Sequence, residues 1–128
     1  MSFTVQANCS LASSPLNFGR YDVFNNFDTT SRGTLEVNCN EAIAYRLKLS
    51  TGAGSYQRRY LQNGVDVLEY NLYKDASFQT IWADGSYADD QTFIHNGAMK
   101  YDVHAKISAG QNVSVGAYSD VIVVTLEY

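Results

Sequence analysis

Two cysteines and two histidines carry the sharpest chemistry in this 128-residue sequence. A zinc site needs about four Cys, His or carboxylate ligands at short spacing, and Cys9, Cys39, His95 and His104 do not supply that pattern. His95 sits beside Asn96-Gly97 and reads as a turn residue. His104 falls on the polar phase of an alternating run, where an exposed side chain is expected. Asp84, Asp89 and Asp90 suggest calcium, yet their spacing matches no EF-hand loop, so a solvated loop is expected there. No G-x-S-x-G elbow, phosphate loop or dinucleotide fingerprint is present. The N-x-S sequons at Asn8 and Asn112 are chance-level patterns. Catalysis needs convergent titratable groups, and none is legible, so the expectation is a non-enzyme with no catalytic residue, no metal and no cofactor.

Charge and composition narrow the partner class. The net charge is −4 and the pI is about 4.9. The basic footprint of a nucleic-acid binder is missing. The adjacent Arg58 and Arg59 are expected to form a solvated hairpin face. No apolar run approaches the roughly 18 residues of a membrane-spanning helix. The opening "MSFTVQANC" runs straight into a strand-like pattern. Either the protein is cytosolic or Met1 stands where a leader was removed. Cys9 and Cys39 bear on that choice. They read as one disulfide, with two buried free thiols as the alternative. A bridge closing a loop of about 30 residues would contribute roughly 3–4 kcal/mol and would place the protein in an oxidising compartment.

The elements that must carry these residues are strands. Leu35, Val37 and Cys39 alternate with polar residues, as do Tyr45, Leu47 and Leu49. The same period of two returns in Leu68, Tyr70 and Leu72, and in Tyr101, Val103, Ala105 and Ile107. Asn63-Gly64 and Asp84-Gly85 are turn dipeptides, and Gly52, Gly54, Gly97 and Gly110 mark further breaks. Seven or eight strands in one 128-residue domain predict an all-β, antiparallel, immunoglobulin-like sandwich. The first strand is expected over residues 3–11, with Phe3, Val5, Ala7 and Cys9 on one face. The last is expected over 118–128, with Ile122, Val124, Leu126 and Tyr128 on one face. A bridged Cys9 would place the first strand beside the strand at 34–40, or packed across from it.

Several segments in order carry a resemblance: "CSLASSPLNFGRYD", "GTLEVNC", "YRLKLSTG", "LEYNLYKD", "IWADG" and "AKISAGQNVSVGAYSDVIVVTLEY". Together they resemble the spore coat protein U domain family, which includes the subunits of archaic, Csu-type chaperone–usher pili. The likeness runs from about Cys9 to Tyr128. It implies a sandwich that lacks its seventh strand and keeps an apolar groove beside its final strand. A periplasmic chaperone would fill that groove first. The N-terminal extension of a neighbouring subunit would then replace it at the outer-membrane usher, by strand addition to an exposed edge. The product is a homo- or heteropolymer at the cell surface, in a pilus or spore coat, supporting adhesion and biofilm formation.

The physics of the last segment agrees. A final strand with a bare edge is an aggregation liability until another strand covers it. Three or four inserted apolar side chains would contribute on the order of 5–10 kcal/mol, against a total stability of about 5–15 kcal/mol for a domain. Ile122, Val124, Leu126 and Tyr128 are expected on one groove wall, and Phe3, Val5 and Ala7 on the other. An ordinary closed core is the competing account of both sets. Only eight residues precede Cys9, fewer than the resemblance implies. The donor segment is therefore expected to be shortened or removed, or the chain to be a tip domain or one part of a two-domain adhesin. Two other functions compete: a carbohydrate- or surface-binding module using Tyr56, Tyr60, Trp82 and Tyr87, each of which is more readily expected as a core or sheet-face residue, and a coat protein that self-associates without an usher.

Overall fold

The computed structural model describes residues 9–13, 20–21, 28–64, 66–86, 91–111, 113–114 and 116–128. Its strands are β1 (Cys9–Ser13), β2 (Arg20–Tyr21), β3 (Thr29–Leu49), β4 (Arg59–Asn63), β5 (Asp66–Tyr73), β6 (Phe93–Ile107), β7 (Gly116–Ala117) and β8 (Val124–Glu127). Every pairing among them is antiparallel, and no helix occurs among the described residues. The main sheet runs β1-β3-β6-β5-β4, with β8 attached to β3 off this path; β2 and β7 form a separate two-stranded ribbon.

The alternation predicted from sequence is the alternation found. Leu35, Val37, Cys39, Tyr45, Leu47 and Leu49 are buried along β3. Leu68, Tyr70 and Leu72 on β5, and Val103, Ala105 and Ile107 on β6, complete the same inner face. A period of two puts one phase of each strand inside, and β-branched and aromatic residues fill a pleated, half-buried surface well. The runs at 34–40 and 45–49, read separately from sequence, belong to one 21-residue strand. Its pairing with β6 shifts register between Cys39 and Ile43. That irregularity lets one strand serve both walls, because a bulge bends the strand and increases its twist. Gly97 does not break the chain as expected. It lies inside β6 opposite Cys39, at the edge of the register shift, with φ of 89°.

Cys9 and Cys39 are bonded and are direct partners in the β1–β3 register. The first strand therefore lies beside the 34–40 segment rather than across from it. The expected strand over 3–11 is described from Cys9, and Phe3, Val5 and Ala7 lie outside the described residues. The expected strand over 118–128 is shorter in the structure: β8 spans Val124–Glu127, preceded by an isolated bridge between Gln62 and Ser119. Asn63-Gly64 turns β4 into β5, with Gly64 at φ 63°, where a side chain would be strained. These antiparallel layers, folded over one apolar interior, make an immunoglobulin-like β-sandwich.

Arg59 corrects a sequence expectation. Arg58 is exposed and pairs with Glu69 at 3.2 Å. Arg59 is 0% exposed. Its Nε and Nη2 donate to the Ser50 carbonyl at 3.0 and 2.7 Å. Nη2 also reaches the Trp82 carbonyl at 2.8 Å, and Nη1 reaches Asn71 Oδ1 at 2.7 Å. The guanidinium ties two connections, at Ser50 and Trp82, to strand β5 at Asn71, since a buried polar group persists only when its hydrogen bonds are satisfied.

Candidate functional site

The final segment is held at two ends and leaves a hollow between. Gln62 and Ser119 exchange backbone hydrogen bonds at 2.8 and 3.0 Å. One residue on, Asp120 Oδ2 accepts the Tyr70 hydroxyl at 2.7 Å. Asp120 Oδ1 accepts the backbone N–H groups of Ala53 at 3.1 Å and Val121 at 2.9 Å. Gly52 makes this approach possible: a Cβ there would collide with the Asp120 carboxylate. At the other end Arg46, Lys48 and their neighbours on β3 pair with β8 in the register Arg46↔Glu127 to Leu49↔Val124. Lys48 and Glu127 add an ion pair at 3.2 Å.

Between these anchors lies a cleft of about 390 Å3. Its floor is the inner face of the sheet, with Gly33, Leu35, Leu49, Leu72 and Val103. Ile122 and Val124 hang over it from the last segment, and Tyr70, Tyr118, Ser119 and Asp120 close one end. Among the described lining residues Asp120 is the one charged side chain, and hydrogen bonds engage both its oxygens. Burial pushes the Tyr70 hydroxyl above its ordinary pKa. The hydrogen bond to Asp120 and that carboxylate's charge push it further, against a smaller opposing pull from Arg59. The cleft therefore offers an apolar interior with a hydrogen-bonded, carboxylate-bearing end.

The four residues expected on the last strand separate by depth. Ile122 and Val124 line the cleft. Leu126 packs on the core, opposite Leu47 in register. Tyr128 is 46% exposed and lies beyond the cleft. The opposite phase faces outward, with Val121 at 77% and Val123 at 61% exposure. Among the described residues, β8 pairs with β3 and with no other strand. Sequence reasoning did not find Gly33, Asp120 or the floor residues as parts of this site. Gly33 does interrupt the inward series Ser31, Gly33, Leu35, and that was a usable signal.

The other candidates fall elsewhere. Trp82, read either as an exposed aromatic or as a core residue, is core: it is 2% exposed, and its indole N–H donates to the Leu47 carbonyl at 3.0 Å. Tyr56 and Tyr60 are half-buried, and Tyr87 lies outside the described residues. His104 is half-buried with its ring edge-on to Phe78. Among the described residues no group of three or more His, Cys, Asp or Glu side chains could hold a metal ion. Asp89 and Asp90 lie outside the described residues.

Known proteins agree with this architecture. The chain is 31% identical over 139 aligned positions to "Protein U" of Myxococcus xanthus, an alignment covering 94% of this chain and 77% of that protein. Its fold superposes with a TM-score of 0.69, at 19% identity, on a chain of the crystal structure of the CsuC-CsuE chaperone-tip adhesion subunit pre-assembly complex from archaic chaperone-usher Csu pili of Acinetobacter baumannii. That match covers 98% of this chain and 40% of the other, so the present chain spans well under half of its structural relative. The family model described as Spore Coat Protein U domain matches residues 1–125. With that match running over nearly its whole length, the chain belongs to the Spore Coat Protein U domain family.

Proposed function

We propose that this protein is a structural subunit of an archaic chaperone–usher pilus, assembled when a strand from a neighbouring subunit enters the cleft beside β8. The observation that carries this reading is the pairing of β8 along β3 alone among the described residues, next to an apolar cleft overhung by Ile122 and Val124. A strand laid against β8 would supply the ladder its edge lacks and place alternate side chains on the sheet floor. In this reading Ile122 and Val124 contact the incoming strand directly. Leu126 supports the wall from the core, Tyr128 meets the partner at the open end, and Phe3, Val5 and Ala7 belong to the opposite wall. A periplasmic chaperone holds the same cleft before assembly at an outer-membrane usher. The product is a secreted polymer at the cell surface, active in adhesion and biofilm formation. The fold it shares with a chain of a chaperone–subunit complex supports the reading.

A second reading has its own support. The family's description, Spore Coat Protein U domain, favours a coat subunit; on this reading the protein associates with its own copies, without an usher. Both readings need an accepting cleft, and one experiment tests that shared element. A capped nine-residue peptide alternating Leu or Val with Thr is added to the disulfide-bonded protein, and the melting temperature is followed. A rise of several degrees that saturates with peptide is expected, because a ligand of the native state stabilises it by mass action. A composition-matched scrambled peptide that works equally well would overturn the proposal. Self-association of the purified protein without added chaperone or usher separates the coat reading from the pilus reading.

A further inference from the structure

We propose that the open edge of β6 over Met99–Val103 is a second docking surface, which joins two copies of this chain side by side as antiparallel strands about a two-fold axis at Tyr101. β6 pairs with β3 from Phe93 to Ile107, but with β5 only from His104 to Ile107. Among the described residues, no strand lies on the other side of Phe93–Val103. β5 stops because the chain turns back after Tyr73: the Lys74 N–H donates to the Thr80 carbonyl, and the Trp82 N–H to the Leu72 carbonyl. Past the end of β5 lies a hollow of about 640 Å3, lined among others by Lys74 and Trp82 and by Met99, Lys100, Tyr101 and Asp102 of β6. Met99 shows what this edge lacks. It shares the inward phase with Tyr101 and Val103 and stands opposite Val37, which is 1% exposed, yet Met99 is 40% exposed. A strand laid beside β6 would cover it.

The residues of the edge specify a second copy as its occupant. A bare edge strand invites pairing, and edges that avoid it carry repeated like charges or proline. Residues 93–103 contain no proline, and Met99–Val103 carries one lysine and one aspartate, two positions apart on the outward phase. Antiparallel pairing centred on Tyr101 puts each Lys100 opposite the other copy's aspartate at 102, and each Met99 opposite the other copy's valine at 103. The stretch is thus self-complementary, as a two-fold contact requires. Opposite charges directly across neighbouring strands attract, and like charges repel. Neither charge is strongly committed within the chain. Among the described residues Lys100 makes no ion pair, although Glu36 is its register partner, and Asp102 has only an exposed pair with Arg32 at 3.9 Å, a kind worth little. The stretch is bounded at both ends: β5 takes the edge from His104, and Gly97, at φ 89°, stands at the register shift just before it. Five residues is an ordinary strand length. So short a contact is weak alone and adds up between polymers that repeat it. It leaves the cleft beside β8 free, so it goes beyond the reading above and does not depend on it.

Sedimentation equilibrium at low salt tests the contact. Val124→Asp serves as the parent background, so that strand uptake in the cleft does not contribute; Ile122→Asp replaces it if that variant does not fold. Self-association should persist in this background and weaken as salt rises. Lys100→Glu sets carboxylates opposite one another across the two-fold, and Asp102→Lys sets ammonium groups opposite one another. Each should weaken self-association by about tenfold or more, since two pairs turn from attraction to repulsion. Mixed together, the two variants should form a heterodimer about as tight as the parent dimer, because each carboxylate of one copy then faces an ammonium of the other. Both positions are exposed, so the fold should hold, and unchanged melting temperatures check this. A parent that stays monomeric up to about 1 mM, charge variants that associate as the parent does, or a mixture that restores nothing overturns the proposal. Association in the wild type that Val124→Asp alone abolishes also overturns it, because the copies would then meet through the cleft. Failure of the wild-type protein to take up the alternating peptide overturns the strand-accepting reading and leaves this edge contact standing.

Discussion

The Tyr70 hydroxyl donates to Asp120 Oδ2 across 2.7 Å, joining the middle of β5 to the start of the final segment. Their separation of 50 residues makes this a tertiary anchor rather than a local turn. It fixes the point from which Ile122 and Val124 project over the cleft. Tyr70→Phe keeps the ring and removes the donor. A hydrogen bond to a charged group is worth about 1.5–3 kcal/mol, so urea denaturation should show a loss in that range. Tyr118→Phe removes a bond from an exposed hydroxyl to the Ser114 carbonyl and should cost less than about 1 kcal/mol. Equal losses would mean that the Tyr70–Asp120 anchor contributes nothing special.

Burial of the Tyr70 phenol, reinforced by this bond, gives the protein an alkaline limit. The native pKa of Tyr70 is raised above its ordinary value of 10.0, so the folded state favours the protonated phenol. Its contribution to stability is fully present below the unfolded pKa, near 10, and is lost as pH climbs toward the native value. Stability should fall above about pH 10, and Tyr70→Phe should flatten that fall. Phenolate absorbance should show one tyrosine class ionising only together with unfolding. A tyrosine titration complete before any loss of near-ultraviolet dichroism would contradict this.

Arg59 supplies the sharpest stability prediction. Its guanidinium holds the Ser50 and Trp82 carbonyls and the Asn71 side chain, with no solvent exposure. Arg59→Met takes the donor from the Ser50 and Trp82 carbonyls and leaves Asn71 Oδ1 with the Leu72 N–H alone, and Arg59→Lys lacks the fork that reaches all three. Each should destabilise the domain by about 3–5 kcal/mol, with the lysine no better than partial rescue. Arg58→Met breaks only the exposed pair with Glu69 and should change stability by less than about 1 kcal/mol. Chemical denaturation of the three variants checks the contrast.

These residues also show how far the sequence could be read. The period of two marked the inner faces of β3, β5 and β6 before any coordinates, because a half-buried strand imprints its burial directly on the residue pattern. Arg58 and Arg59 look alike as a pair, and composition favours a solvated face for both. Strand phase distinguishes them: Arg59 shares the inward phase with Leu61 and is the register partner of Tyr70. Asp120 left no such trace, since its partners Tyr70 and Ala53 are distant in sequence. Phase also placed Ile122, Val124, Leu126 and Tyr128 on one side, but it reports a face and not a depth. β8 closes onto β3 at Leu126, so the cleft ends before Tyr128.

The Cys9–Cys39 bond joins two residues already opposite one another in the β1–β3 ladder, 30 positions apart in sequence. In the chain-entropy picture a loop of that length contributes about 3–4 kcal/mol by restricting the unfolded state. Reduction should lower the denaturation midpoint by a matching amount and free β1 first, since β3 is its one partner strand among the described residues. Hydrogen exchange after reduction should quicken at residues 9–13 before it quickens in β5 and β6. Uniform acceleration throughout the sheet would show that the bond supports the whole domain rather than its edge.

The two phases of the last segment make opposite predictions. Val124 lines the cleft and Val123 faces outward at 61% exposure. Val124→Asp would place a carboxylate against any strand that enters. The penalty for burying an unpaired charge, several kcal/mol, exceeds the roughly 1.5–3 kcal/mol one aliphatic contact contributes. Uptake of an alternating peptide should therefore be lost in Val124→Asp, and likewise in Ile122→Asp. Val123→Asp puts the same charge in water, three bonds along the backbone, and should leave peptide uptake within about twofold of wild type. The readout is the rise in melting temperature on adding peptide, measured from each variant's own baseline, so a shared loss of fold stability does not mimic a loss of binding. If Val123→Asp abolished uptake while Val124→Asp preserved it, the partner would be docking on the outer face, and the cleft beneath Ile122 and Val124 would be an ordinary packing gap.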